Sequence, residues 1–165
     1  MRPSYPPLPA GFFRRHPAHI FAFGFGAGAI PFAPGTWGTL VAVPFCLLLQ
    51  YLSAPQYVAF LALTFLLGVW LCQVAGKNLG VSDHPGMVWD EMVGYWIAVA
   101  LVPPHWTWWL AAFALFRIFD IWKPWPISEL DRRLHGGLGV MADDALAGIF
   151  TGVILFAAHG LLIAA

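Results

Sequence analysis

The sequence predicts an all-α integral membrane protein, with about four to five transmembrane or half-membrane helices and a Gly/Pro-rich re-entrant N-terminal segment. Three observations carry that prediction. Apolar residues make up 60% of the 165 residues and charged ones 10%, with a mean hydropathy of +0.74, more than a soluble domain of this size shows. Charge is absent from three long runs: His16 to Gly76, Met92 to Phe116, and Ala145 to the C-terminus. Five of the eight acidic residues stand in three clusters that abut those runs: Asp90-Glu91, Asp120 and Asp143-Asp144. Carboxylates beside a membrane segment are costly to desolvate, and point to a site that holds a cation or moves a proton.

The stretch Met1 to Pro9 is Pro-rich, and residues 1–15 are expected to form a cytoplasmic tail ahead of a single membrane domain, 16–165. No small-residue cleavage signal follows a compact apolar core, so no processing is expected there. From Gly24 to Thr39 glycines and prolines are too dense for a regular helix. Such backbone is tolerated at membrane depth only against protein or a wet cavity, which predicts a re-entrant or interfacial loop. Crossings follow at about Thr39 to Leu52 and Tyr57 to Ala75, separated by the turn-like Ser53-Ala54-Pro55-Gln56.

Pro103-Pro104 splits the middle run, which crosses once with a kink or turns back as a hairpin. Arg2, Arg14 and Arg15 place the N-terminus in the cytoplasm, and two crossings return Lys77 to the same side. A hairpin keeps Arg117, Lys123, Arg132 and Arg133 there too, and sets Trp106, Trp108 and Trp109 at its tip as interfacial aromatics. The hairpin is therefore the expected form. The last run, Ala145 to Ala165, fits one further crossing.

Formal charge sums to zero, so no basic stripe exists to follow a nucleic-acid backbone. Cys46 and Cys72 lie inside apolar runs without partners at ligand spacing, as packed thiols do.

Four segments carry candidate chemistry. In Pro34-Gly35-Thr36, amides and the Thr36 hydroxyl at a helix start offer an anion site; the plainer account makes Thr36 a helix cap. Asp90 and Glu91 are about 100° apart on a helix and reach one ion only near its first turn. Hard oxygen ligands of this kind suit Mg²⁺, which also accepts waters and phosphate oxygens, although acids at a helix N-terminus are favourable by themselves. Asp83 and His84 precede them as loop residues, with His84 expected in solvent. Arg117 and Asp120 share a helix face and Lys123 follows one turn later. They suit phosphate binding or, equally, an ion pair with a snorkelling lysine. Finally, Asp143 and Asp144 follow a flexible glycine stretch, Gly136 to Gly139, and precede small residues, Ala147 and Gly148, that permit close helix packing. A plain N-cap and first-turn acid would explain that pair as well.

Familiar hydrolytic signatures are missing: no Gly-x-Ser-x-Gly, no His-Glu-x-x-His, no Asp-x-Asp and no Cys with Arg at phosphatase spacing. The four segments in order, Pro31 to Gly38, Val88 to Gly94, Phe116 to Ile127 and Gly136 to Gly148, resemble the phosphatidylglycerophosphatase A family. The resemblance implies an Mg²⁺-dependent phosphatase that converts phosphatidylglycerophosphate to phosphatidylglycerol and inorganic phosphate. It also implies a multi-pass protein of the bacterial inner membrane with its site facing the cytoplasm.

Asp90, Glu91, Asp143 and Asp144 are then expected to hold Mg²⁺. Thr36, Arg117 and Lys123 are expected to bind substrate, and Asp90, Asp120 and Asp144 to act in catalysis, with Asp120 completing the metal site or serving as base. The nucleophile, water or a carboxylate, stays open. The rival class is a cation- or proton-coupled transporter using the same carboxylates. The small size of the chain and the gathering of its acids at one membrane face speak against it; a homo-oligomer would answer the size objection.

Overall fold

Two short helices open the fold in the computed structural model, which describes residues 7–164. They are α1 (Phe12–Arg15) and α2 (Pro17–Ala22). Pro17 takes the first helical position, where a missing N–H leaves nothing unpaired, and His16 Nδ1 accepts from the Ala18 amide at 3.1 Å. The Phe12 ring lies parallel to His19 with centroids 3.9 Å apart. His19 Nδ1 is 2.7 Å from the Phe12 carbonyl and Nε2 is 2.8 Å from the Asn78 side-chain amide; a proton on Nδ1 satisfies both. Residues 1–6 of the expected tail lie outside the described residues, whereas Phe12 is in the core, where stacking on a buried ring removes its surface from water.

Gly24–Ala29 form 3-10 turns interrupted by left-handed Phe25 (φ 58) and Gly26 (φ 100), irregular as expected. The regular helix nevertheless begins inside the glycine-proline segment: α3 spans Pro34–Ala42 and so starts five residues before Thr39. Pro34 is the reason, since its fixed φ suits a first helical position. A 3-10 turn at Val43–Phe45, around Pro44, joins α3 to α4 (Cys46–Leu49). Next, Ser53 and Gln56 form a capping box that starts α5 (Ala54–Leu79), with the Ser53 amide donating to Gln56 Oε1 at 2.9 Å.

The middle run is two antiparallel helices, α6 (Trp89–Val99) and α7 (Trp106–Trp122), as the hairpin expectation has it. Tyr95 Oη donates to the Trp109 carbonyl at 3.0 Å near the Pro103-Pro104 turn. At the open end, Arg117 Nη1 comes within 3.8 Å of Glu91 Oε1. Trp106 is exposed at the tip, while Trp108 stands edge-on to His159 with centroids 5.1 Å apart. A short α8 (Ile127–Arg133) leads into α9 (Gly136–Ala164).

α6 is the central helix, packed by α3, α5, α7 and α9, and nine of its eleven residues are buried. Its indoles fix it in place: Trp89 Nε1 donates to the Thr64 carbonyl and Trp96 Nε1 to the Ala42 carbonyl, each at 3.0 Å. Among the described residues α5 and α9 are long and apolar enough to cross a membrane, at about 39 and 44 Å for a 1.5 Å rise per residue. α6, at about 16 Å, is too short to cross alone. Every charged residue described, from Arg14 to Asp144, lies where α5 and α7 end and α6 and α9 begin. The far end, with residues 50–53 and 100–105, carries none.

Candidate active site

Asp90 and Glu91 sit in the first turn of α6, where free backbone amides favour negative charge. α9 passes so close that no side chain fits between the two backbones: a Cβ on Gly148 would run into the Gly94 carbonyl. Small residues permit that approach, as the pairing of Ala147 with Gly148 anticipated. The contact sets Asp144 beside Asp90 and Glu91, with one oxygen from each carboxylate within 4.8 Å of the others. Asp90 is 8% exposed and Asp144 3%. Asp90 Oδ1, Glu91 Oε2 and Asp144 Oδ2 are buried without a hydrogen-bond partner among the described residues. Buried charge is tolerated only when paired or bound to metal. Three convergent hard-oxygen donors fit Mg²⁺, which one or two carboxylates hold alongside waters and phosphate oxygens.

Two cations border this group. Arg117, near the end of α7, pairs with Asp120 on its own face and approaches Glu91. Gly35 lies against the guanidinium and the Glu91 carboxylate, and a Cβ there would strike both. Lys123 caps α7 in a left-handed conformation (φ 43) and pairs with both Asp131, at 2.8 Å, and Asp143. Burial disfavours its charge, but the two carboxylates outweigh that and hold its pKa above the usual lysine range. The walls enclose a cavity of about 250 Å³, lined among others by Gly35, Asp83, Asp90, Glu91, Arg117, Asp120, Lys123, Asp143 and Asp144.

Several expected positions differ. Asp143 points about 100° away from Asp144 around α9 and takes Lys123 as partner, so it borders the three-carboxylate group without joining it. Asp120 is engaged by Arg117. Thr36 stands outside the cavity lining; its amide donates to the Ala33 carbonyl at 3.0 Å, and Ala33, not Thr36, is the N-cap. Gly136 to Gly139 are the first turn of α9, not a flexible stretch, because Gly137 packs on the Val69 carbonyl and its amide donates to Gln73 Oε1 at 3.1 Å. That leaves Asp143 and Asp144 two turns inside the helix and not at its cap. His84, expected in solvent, is 8% exposed and its Nδ1 accepts from the Gly86 amide at 3.0 Å.

Two acids at the site, one in its wall and one behind Lys123, escape sequence reasoning. Asp83, exposed at the surface, lines the cavity. Asp131 anchors Lys123 from α8, eight residues on. The turn between them, not a helical period, brings them together, so spacing gives no signal.

The sequence profile of the phosphatidylglycerophosphatase A family matches residues 20–159. The chain belongs to that family. It is 44% identical over 146 residues to phosphatidylglycerophosphatase A of Escherichia coli (strain K12), covering 87% of this chain and 85% of that one. Against phosphatidylglycerophosphatase A of Haemophilus influenzae it is 49% identical over 144 residues, 86% of this chain and 88% of the relative. A Bacteroides thetaiotaomicron protein with the provisional name phosphatidylinositol-3-phosphatase is 37% identical over 166 residues, 96% of each chain. No solved structure matches the chain. The matched region holds all four segments on which the family resemblance rested, and with them every wall of the charged cavity.

Proposed function

We propose that this chain is an Mg²⁺-dependent lipid phosphatase that hydrolyses phosphatidylglycerophosphate to phosphatidylglycerol and inorganic phosphate. Its place in this reading is the bacterial inner membrane, crossed several times, with the site at the cytoplasmic face. The observation that carries the reading is the meeting of Asp90, Glu91 and Asp144 within 4.8 Å beside Arg117 in one cavity. Membership of the family supports the substrate. The gathering of all described basic residues at the site end supports the orientation.

Asp90, Glu91 and Asp144 would hold the metal, and Asp143 stands next to them. Bound there, Mg²⁺ supplies Lewis acidity toward the phosphoryl oxygens and lowers the pKa of water. Arg117 meets the phosphate oxygens with a planar fork of donors and offsets the charge that builds on them. Asp120 holds that guanidinium in orientation. Lys123, fixed between Asp131 and Asp143, offsets their charge at the rim and so lowers the repulsion that an incoming dianion meets. In the reaction an oxygen from water bonds to phosphorus as the ester P–O bond breaks, and the departing glycerol oxygen ends protonated.

A cation- or proton-coupled transporter is not favoured: the named relatives are phosphatases, and the acids lie toward one end of the helices. The test is phosphate release from phosphatidylglycerophosphate by the purified protein in detergent. Release should require Mg²⁺, stop with chelator and fall at least about 100-fold in Asp144→Asn, because even residues one shell removed from a metal cost 10- to 100-fold. No release from folded protein would reject the reading. Faster release from phosphatidylinositol-3-phosphate would reassign the substrate.

A further inference from the structure

The charged cavity has an edge that water does not explain. α7 packs on α6 and α9, and α3 packs on α6, but α3 and α7 make no extended contact with each other. The guanidinium of Arg117 is what reaches across, to the surface of Gly35. On α7, Ile121 lines the cavity and is 69% exposed, and Ile118, one turn before it, is 50% exposed. On the other side Phe32 is 79% exposed, directly before Ala33 and Pro34, which line the cavity. Elsewhere the lining includes charged Asp83 and Lys123, the latter paired with Asp131. The mouth therefore has one edge suited to water and one suited to hydrocarbon. Trp122 and Trp125, beside the apolar edge, are 81% and 79% exposed, as indoles at a headgroup boundary are.

We infer that the substrate lipid enters sideways from the bilayer, through the gap between α3 and α7, with its acyl chains against Phe32, Ile118 and Ile121 and its phosphate at Arg117. This rests on the phosphatase reading above. The occupant follows from the two chemistries of the mouth: a cation at the inner end selects an anionic group, and exposed apolar side chains outside it accommodate chains attached to that group. A water-soluble phosphate monoester would make no use of that edge.

Two phosphatidylglycerophosphates with the same headgroup separate the possibilities, one dioleoyl in mixed micelles and one dibutanoyl and monomeric in water. In Ile118→Glu and Phe32→Glu the KM for the dioleoyl substrate should rise at least about tenfold, with the KM for the dibutanoyl substrate rising far less. Tyr51→Glu, in the uncharged turn at the far end and 81% exposed, should leave the dioleoyl KM as it was. Equal changes for both substrates, or none, would overturn the side entrance. Wild-type protein inactive on both would instead reject the phosphatase reading, and this inference with it.

A second measurement needs no variant. A dioleoyl substrate carrying a diazirine on one chain is irradiated with the wild-type protein in chelator. Cross-links should concentrate on peptides from residues 32–40 and 118–125; cross-links chiefly on the outer faces of α5 and α9 would overturn the proposal.

Discussion

Arg117 shows how much a single side chain settles at this site. It lies amid Glu91, Asp120 and the Asp90–Asp144 pair, with Lys123 already committed to Asp131 and Asp143. Nη1 of the guanidinium faces both Asp120 and Glu91, and the other donors of its planar fork stay available for phosphate oxygens, whereas a lysine is a point charge on a flexible stem. Arg117→Lys should keep the fold and lose the function: kcat/KM down about 100-fold or more, with the melting temperature in detergent shifted by no more than a few degrees. Retention of activity within threefold would reduce Arg117 to a structural ion pair. Its pairing with Asp120 is legible in the sequence because three residues on a helix make neighbours. Its approach to Glu91 is not, since that depends on the turn of the hairpin and on the missing side chain at Gly35.

The helices matter through how closely they pass. Asp144 reaches Asp90 and Glu91 because Gly94 and Gly148 let the α6 and α9 backbones touch. Gly148→Leu would wedge them apart, destabilising by about 1–3 kcal/mol as overpacked cores do and drawing Asp144 out of the carboxylate group. A melting temperature lower by several degrees together with loss of phosphate release is expected. Gly160→Leu, on the same helix with open space around it, should change neither. An active, equally stable Gly148→Leu protein would show that the α6–α9 approach does not set the site.

The same logic explains what could be read in advance. A break at Ser53-Ala54-Pro55-Gln56 was legible, although α5 begins inside it at Ala54, and the hairpin was legible from Pro103-Pro104 with the distribution of charge, because both signals are local. The helical glycines of α9 were not. Their partners, Val69 and Gln73, are more than sixty residues away, and burial against them overrides the low helix propensity of glycine. The start of α3 at Pro34 was a local signal masked by its neighbours, since one proline in a run of glycines reads equally as a breaker and as a first helical residue.

At the scale of the whole molecule the division of charge is complete among the described residues: one end holds every cation and every acid, the other only uncharged turns. Basic residues accumulate on the cytoplasmic side of membrane proteins, so residues 50–53 and 100–105 should face away from the cytoplasm while α8 faces it. Ser53 is exposed at the first of these turns and Arg133 is 75% exposed on α8, in a surface ion pair with Glu129 whose loss costs little. Both native cysteines are buried, which keeps background labelling low. In spheroplasts a membrane-impermeant maleimide should therefore modify Ser53→Cys at once and Arg133→Cys only after permeabilisation. The opposite pattern would put the carboxylate site outside, where a lipid made on the inner leaflet would have to cross the bilayer before its phosphate could meet Arg117. Labelling of both in sealed spheroplasts would mean that Ser53 and α8 share a face, which is incompatible with α5 as a crossing helix.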